Sequence, residues 1–121
     1  MSKNLLFSTS TELIRVPTEA VVFISADGNY SSIKMADGGE YVLTMQLGQM
    51  EKRISEMVDP NDNRFIRIGK SLIVNREFIT LINPTRQKII LSDGRTFRHE
   101  LSASKEALKA LKELIEKEES L

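Results

Sequence analysis

Cysteine and tryptophan are absent from this chain of 121 residues, and histidine occurs once, at position 99. Without cysteine, the chain has no disulfide bonds, no thiolate metal site and no cysteine nucleophile. His99 has no neighbours at metal-ligand spacing. We therefore expect His99 to be an exposed strand residue, and we expect no metal ion or other cofactor.

Long apolar segments are also missing. No run approaches the roughly 20 residues of a membrane-spanning helix, and the N-terminus lacks the basic start and apolar block of a secretory signal. Neither a serine elbow nor a glycine-rich loop that opens a helix is present. We therefore predict a cytoplasmic protein that is not an enzyme and does not contact a membrane.

The formal net charge is zero, but the charges are unevenly distributed along the chain. Residues 1–62 include 5 basic and 9 acidic residues, residues 63–105 include 9 and 3, and residues 106–121 include 3 and 5. A phosphate-binding surface needs local positive potential rather than a positive total. Residues 63–105 are therefore the candidate for nucleic-acid contact. The alternative is that their cations only occupy exposed strand faces.

Turn residues separate short apolar runs over most of the chain, which predicts a mainly β (α+β) fold. We predict one domain over residues 15–121, preceded by an extended N-terminal arm over residues 1–14. Residues 13–16 have the composition to pair as an edge strand. The other predicted strands are 20–25, 30–35, 41–43, 65–68, 71–74, 79–82, 88–91 and 96–101.

Two segments have helical periodicity instead. Apolar residues recur at three- and four-residue spacing over about 45–58, with Thr44 as the predicted N-cap. A second amphipathic helix is predicted over about 104–118, where Ser104 is the predicted N-cap.

The segment RFIRIGKSLIVNREFI, residues 64–79, joins an amphipathic strand to an apolar strand through a small basic turn. Gly69 lets the backbone approach DNA closely, Lys70 can reach a phosphate or a guanine edge, and Ser71 adds a second donor. We favour this interpretation over an ordinary solvated turn.

Two neighbours of this turn have less specific roles. Arg67 is either a phosphate clamp or a residue on the solvated face of its strand, and the sequence does not decide between them. We expect Asn75 to hydrogen-bond the backbone of the next turn, so that it contributes to binding only by bracing the Lys70 turn.

The order of the motifs resembles the LytTR DNA-binding domain over roughly residues 15–112. The resemblance is carried by FISADGNYSSIKMADG, then TMQLGQMEKRI, then the RFIRIGKSLIVNREFI segment, then IILSDGRTF and a late Ser-Lys pair. It implies an elongated fold of about ten short antiparallel strands in small sheets. It also implies that loops enter successive major grooves of double-stranded DNA, often at paired direct repeats.

The resemblance implies three contact regions in this chain. They are Asn29 with Tyr30; Gly69, Lys70 and Ser71 with Asn75 behind them; and Ser104 with Lys105. The residues themselves favour packing over contact for Tyr30, because large aromatic side chains are usually buried.

The chain departs from the family pattern at two of these positions. Gly69 stands where the family often has histidine, and Lys105 stands in place of an arginine. Lysine cannot make the planar two-pronged contact to guanine that arginine makes. Both differences favour phosphate binding over base recognition.

We therefore predict a bacterial, stand-alone, response regulator-like transcriptional regulator. The chain has no room for a receiver domain, so control is expected through expression level, a regulatory partner protein or a homodimer. Two alternatives are a ligand-sensing or protein-interaction module without DNA binding, and an RNA-binding protein.

Overall fold

The computed structural model describes residues 3–119. Within that range, the chain forms ten strands in three antiparallel sheets, together with two α-helices. This confirms the predicted mainly β (α+β) class. The chain divides between Arg76 and Glu77 into two compact units.

The first unit contains a two-stranded hairpin, a five-stranded antiparallel sheet and one helix. The elements are β1 (Asn4–Ser8), β2 (Leu13–Pro17), β3 (Val21–Asp27), β4 (Tyr30–Met35), β5 (Glu40–Leu43), α1 (Leu47–Met57), β6 (Phe65–Ile68) and β7 (Leu72–Asn75). The five-stranded sheet has the strand order β5-β4-β3-β7-β6.

The N-terminal segment that we predicted to be an extended arm instead forms the β1–β2 hairpin, in which Phe7 pairs with Ile14. Leu5 and Phe7 are fully buried in the core of the first unit. They share one face of β1 because alternate strand residues point the same way. The sequence did not reveal this because one turn of exposed residues separates two strands of only five residues each.

Helix α1 begins later than predicted, with Gln46 rather than Thr44 as its N-cap. The Met45 amide donates to the Leu43 carbonyl at 2.9 Å, and Met45 lies in the link before the helix. The Gln46 amide donates to Oε1 of Gln49 at 3.1 Å, which replaces an intrahelical bond at the helix start. The buried face of the helix consists of Leu47, Met50 and Ile54.

The second unit is a three-stranded antiparallel sheet followed by a helix. Its elements are β8 (Ile79–Asn83), β9 (Lys88–Ser92), β10 (Arg98–Ser102) and α2 (Lys105–Glu118), and the sheet has the strand order β10-β9-β8. Helix α2 contacts β8, and Leu108 and Leu111 of the helix are buried. The predicted N-cap is confirmed, because the Ser104 hydroxyl accepts a hydrogen bond from the Ala107 amide at 3.1 Å.

Strand β10 starts two residues later than predicted because Asp93 extends the preceding turn. Its carboxylate accepts hydrogen bonds from the amides of Arg95 and Thr96 at 2.9 and 2.7 Å. The Thr96 hydroxyl and these amides lower the pKa of Asp93 well below its usual range. His99 in β10 is half-buried, with its ring centroid 5.6 Å from that of Phe97, so the prediction of an exposed histidine was wrong.

Neither described helix is long and apolar enough to span a membrane.

Candidate nucleic-acid interface

Three connections of the first unit lie at the same end of the five-stranded sheet. They are the β3–β4 turn, the link from β5 to α1 and the β6–β7 turn. The strand register places them together, since the residue pairs at this end are Asp27 with Tyr30, Ser31 with Leu43 and Ser25 with Leu72. We call residues 28–30, 44–46 and 69–71 the loop end.

The β6–β7 turn presents Lys70 to solvent. Gly69 adopts a φ of 62°, a conformation that side chains disfavour, and nothing lies within 4 Å of the position where a Cβ would stand. Lys70 and Ser71 are exposed, and Lys70 has no ion-pair partner within residues 3–119. The Ser71 carbonyl accepts the Ala26 amide at 2.9 Å, which anchors the turn to β3.

Arg67 contacts the β6–β7 turn from within β6. Its Nε donates to the Gly69 carbonyl at 3.1 Å, and its Nη1 donates to Oε1 of Glu51 in α1 at 3.0 Å. The side chain is partly exposed at 33%. Because the guanidinium is already shared between the turn and the helix, the geometry favours a bracing role over the two roles considered from the sequence.

Asn29 and Tyr30 form the second part of the loop end. Gly28, at a φ of 63°, occupies the first position of the two-residue β3–β4 turn, which is typical of glycine in hairpins. Oδ1 of Asn29 accepts a hydrogen bond from Nε2 of Gln46 at 3.2 Å. Tyr30 is 54% exposed, so the packing role that its residue type favoured was wrong.

Asn75 lies at the opposite end of β7 from the turn. It is completely buried, and its Nδ2 donates to the Val21 carbonyl at 2.8 Å. A buried amide that bonds the backbone of the neighbouring strand stabilises the sheet. The burial of Asn75 therefore excludes direct contact with DNA in this fold. Because Asn75 lies at the far end of β7, it does not brace the Lys70 turn either.

In the second unit, Ser104 and Lys105 lie beside the β8–β9 turn. The Ala103 amide donates to the carbonyl of Gln87 at 3.3 Å, which holds the start of α2 against this turn. Lys105 and Arg86 are both exposed at this end of the three-stranded sheet. Two exposed cations therefore lie near the start of α2.

The cations of residues 63–105 do not form one continuous row within either unit. Arg64 and Arg76 lie at the end of β6 and β7 far from Lys70, where the Arg76 amide donates to the Arg64 carbonyl at 2.8 Å. In the second unit, Arg95 and Arg98 lie at the end of the sheet opposite Lys105. Positive charge is therefore concentrated at particular turns, and residues 63–105 as a whole do not form one basic surface within either unit.

Sequence reasoning missed Gln46. In the sequence this residue falls inside the segment predicted as helix, and no motif distinguishes it from Gln49. Only the pairing of β4 with β5 brings it beside Asn29. In the described part of the chain, no group of three or more His, Cys, Asp or Glu residues is arranged to bind a metal ion.

Comparison with known proteins adds two findings. A family model described as the LytTr DNA-binding domain matches residues 11–116. Among solved structures, a Bacillus cereus domain described as the LytTr DNA-binding domain of a response regulator is similar, with a TM-score of 0.65 and 21% sequence identity. The alignment covers 95% of this chain and 98% of that one, and at this identity the likeness concerns the fold. No curated protein matches the chain significantly.

Proposed function

The chain belongs to the LytTr DNA-binding domain family, as the resemblance predicted, and from this membership we propose that it regulates transcription by binding double-stranded DNA with its loop end. The observation that carries the proposal is the position of Lys70. It is an exposed lysine without an ion-pair partner in the described chain, on a glycine turn at the same sheet end as Asn29.

The β6–β7 turn supplies phosphate contacts in this proposal. The Lys70 ammonium neutralises a backbone phosphate, and the exposed Ser71 hydroxyl donates to a second phosphate oxygen. Gly69 leaves the outer side of the turn open, so the duplex backbone can approach it closely. Such contacts supply affinity for any sequence, and salt weakens them.

The β3–β4 turn supplies base recognition. The Asn29 carboxamide is exposed, and carboxamides are suited to the major-groove edge of adenine. The exposed Tyr30 hydroxyl reaches toward the sugar-phosphate backbone, where a phenol can donate to phosphate. A narrow turn that projects beyond the sheet fits a groove about 12 Å wide.

The second unit contributes a third contact region through Lys105. This residue opens α2, a helix of 14 residues whose first amides favour an anion, and Arg86 is near the same helix start. Ser104 acts mainly on the helix, because its hydroxyl oxygen accepts the Ala107 amide. Lysine at this position favours phosphate over guanine recognition.

The finer features implied by the family resemblance remain part of the proposal. They are insertion of loops into successive major grooves, paired direct repeats as targets, a homodimer and a regulatory partner protein. A ligand-sensing or protein-interaction role without DNA binding is the alternative.

Selection of bound duplexes from a random pool tests the proposal. We expect enrichment of a defined motif, and two copies of it at a fixed spacing if the target is a direct repeat. Recovery of duplexes without any sequence enrichment, at an affinity equal to that for random DNA, would contradict sequence-specific binding. Failure to retain any duplex at low salt would contradict DNA binding itself.

A further inference from the structure

We propose that Gln46 is a specificity-determining residue, which fixes the direction in which the Asn29 carboxamide points and thereby selects the base that it reads. This inference rests on the proposed function, since it names the part of the loop end that recognises sequence. Gln46 carries no feature in the sequence that would single it out.

The backbone of Gln46 is held beside the β3–β4 turn by three contacts. Ser31 pairs with Leu43 at the last position of β5, and the Ser31 hydroxyl donates to the Met45 carbonyl at 2.6 Å. Ser31 is 1% exposed, so the donor of this hydrogen bond is buried and the bond itself is partly shielded from water. The Gln46 amide then donates to Oε1 of Gln49 at 3.1 Å, which secures the start of α1.

The side chain of Gln46 orients the Asn29 carboxamide, the group that contacts the base in this proposal. Its Nε2 donates to Oδ1 of Asn29 at 3.2 Å. The carboxamide oxygen and the NH₂ group point in different directions from the same carbon, so an oxygen turned toward Gln46 leaves the NH₂ group turned away from Gln46 and toward the ligand. Without Gln46, the Asn29 amide could rotate and offer either group.

This orientation predicts the chemistry of the base. In the major groove, purines offer N7, guanine also offers O6, and thymine offers O4, all of which accept a hydrogen bond from an NH₂ group. Cytosine offers only its N4 donor there. The Asn29–Gln46 pair should therefore disfavour cytosine at the base it contacts.

The surroundings of the pair suit a duplex. One shallow open cleft is lined by Asn29, Thr44, Met45, Gln46 and Gln49, and all of these side chains except Met45 are uncharged and polar. An adjoining cleft shares Met45 and Gln49 and is lined also by Lys52, Arg53 and Glu56 of α1. Both cations are exposed, and within residues 3–119 neither forms an ion pair, so they can lie against the phosphates that flank the base.

Three variants test this inference: Gln46→Ala, Gln46→Glu and the Gln46→Ala, Asn29→Ala double variant. The readouts are the selected duplex motif and the affinity for the wild-type motif. In Gln46→Ala, we expect discrimination against cytosine to be lost at the same motif position that Asn29→Ala affects. Affinity for the wild-type motif should fall about 2- to 10-fold, the effect of one hydrogen bond. The double variant should bind no more weakly than Asn29→Ala alone, because the two residues act as one unit.

Gln46→Glu provides a sharper outcome. A carboxylate accepts but does not donate, so it would bond the Asn29 NH₂ group and turn Oδ1 toward the DNA. The preference at that motif position should then shift toward bases with a major-groove donor, cytosine or adenine. Ser55→Ala is the control, because Ser55 lies on α1 at a different cleft, lined also by Glu51 and Arg67. It should retain the wild-type motif.

The outcomes separate the two proposals. If the wild-type protein and both Gln46 variants select the same motif with equal discrimination, the inference is wrong while DNA binding stands. If the wild-type protein selects no motif, the proposed function fails and the inference fails with it. Circular dichroism melting of each variant checks folding, and Gln46→Glu keeps the test valid if Gln46→Ala melts early.

Discussion

The guanidinium of Arg67 joins helix α1 to the Lys70 turn, since it contacts the Glu51 carboxylate at 3.0 Å while its Nε donates to the Gly69 carbonyl at 3.1 Å. Gly48 of the helix is also close, because a Cβ at this position would lie 3.8 Å from Nη1 of Arg67. The turn that carries the proposed phosphate contact is therefore braced by a residue that need not touch DNA.

Replacing Arg67 by lysine distinguishes bracing from phosphate contact. Lysine keeps the charge but lacks the fixed Nε–H geometry, so the bond to the Gly69 carbonyl is lost. We expect duplex affinity in the Arg67→Lys variant to fall about 2- to 10-fold with an unchanged salt slope. Fluorescence anisotropy titrations at several salt concentrations measure both. Arg67 would be assigned to phosphate contact instead if Arg67→Lys bound with wild-type affinity and the salt slope of Arg67→Ala became shallower by the amount expected for one phosphate contact.

Replacing Lys70 by alanine should weaken binding to every duplex. The loss of one phosphate contact should reduce the magnitude of the negative slope of log K against log salt by about 0.9. Lys3→Ala is the matched control, because Lys3 is also an exposed lysine. Its carbonyl accepts a hydrogen bond from the amide of Thr18, which lies just before the start of β3. Lys3 is therefore at the end of the sheet opposite the loop end. Equal slopes in Lys70→Ala and the wild-type protein would remove Lys70 from the interface.

Asn29→Ala should change sequence preference more than general affinity. The carboxamide is the exposed group of the loop end best suited to a base edge, and a wrong base typically costs about 1–3 kcal/mol at such a contact. Duplex selection with the variant should show reduced discrimination at one motif position. Asn63→Ala, in the loop before β6, should retain the full motif. An unchanged motif in Asn29→Ala would make this residue a structural turn residue.

Asn75→Ala should affect stability and leave recognition intact. Its removal leaves the Val21 carbonyl without the amide donor that lies at 2.8 Å, which costs about 1–3 kcal/mol in a buried site. Urea unfolding measures this loss. At low temperature, where the variant is folded, its selected motif and salt slope should match those of the wild-type protein. A changed motif would contradict a purely structural role for Asn75.

Phe7→Ala tests whether the N-terminal hairpin belongs to the core. Phe7 is fully buried, so we expect the free energy of unfolding to fall by about 3–5 kcal/mol. Leu6→Ala is the matched control, because Leu6 is 41% exposed on the opposite face of β1, and it should change stability by at most about 0.5 kcal/mol. Equal, small effects of the two substitutions would mean that residues 4–8 do not pack as described.

Much of the fold follows from local patterns in the sequence. The Asp-Gly turns and alternating apolar residues predicted most strands to within two residues, and β4 and β6 at their observed bounds. Helix α2 was also predicted closely, because an amphipathic period and a serine cap occur together there. The hairpin over residues 4–17 was missed, since what stabilises it is burial of Leu5 and Phe7 in the core of the first unit.

The candidate site was harder to predict than the fold. Lys70 and Asn29 could be named because small and polar residues at turns suggest exposure. Their placement at one sheet end depends on the pairing of β3 with β7, which joins residues about 50 positions apart. The burial of Asn75, at the end of β7, depends on that same long-range register. The Gln46–Asn29 contact depends instead on the pairing of β4 with β5, and no local pattern indicates it or the exposure of Tyr30.

Titration of the isotope-labelled protein with its selected duplex, followed by amide NMR, tests the central claim most directly. The amide signals of residues 28–30, 44–46 and 69–71 should shift most within the first unit. The signals of residues 36–39, in the β4–β5 turn at the opposite end of the same sheet, should stay in place. Shifts concentrated at residues 36–39, with the loop end unaffected, would contradict the account.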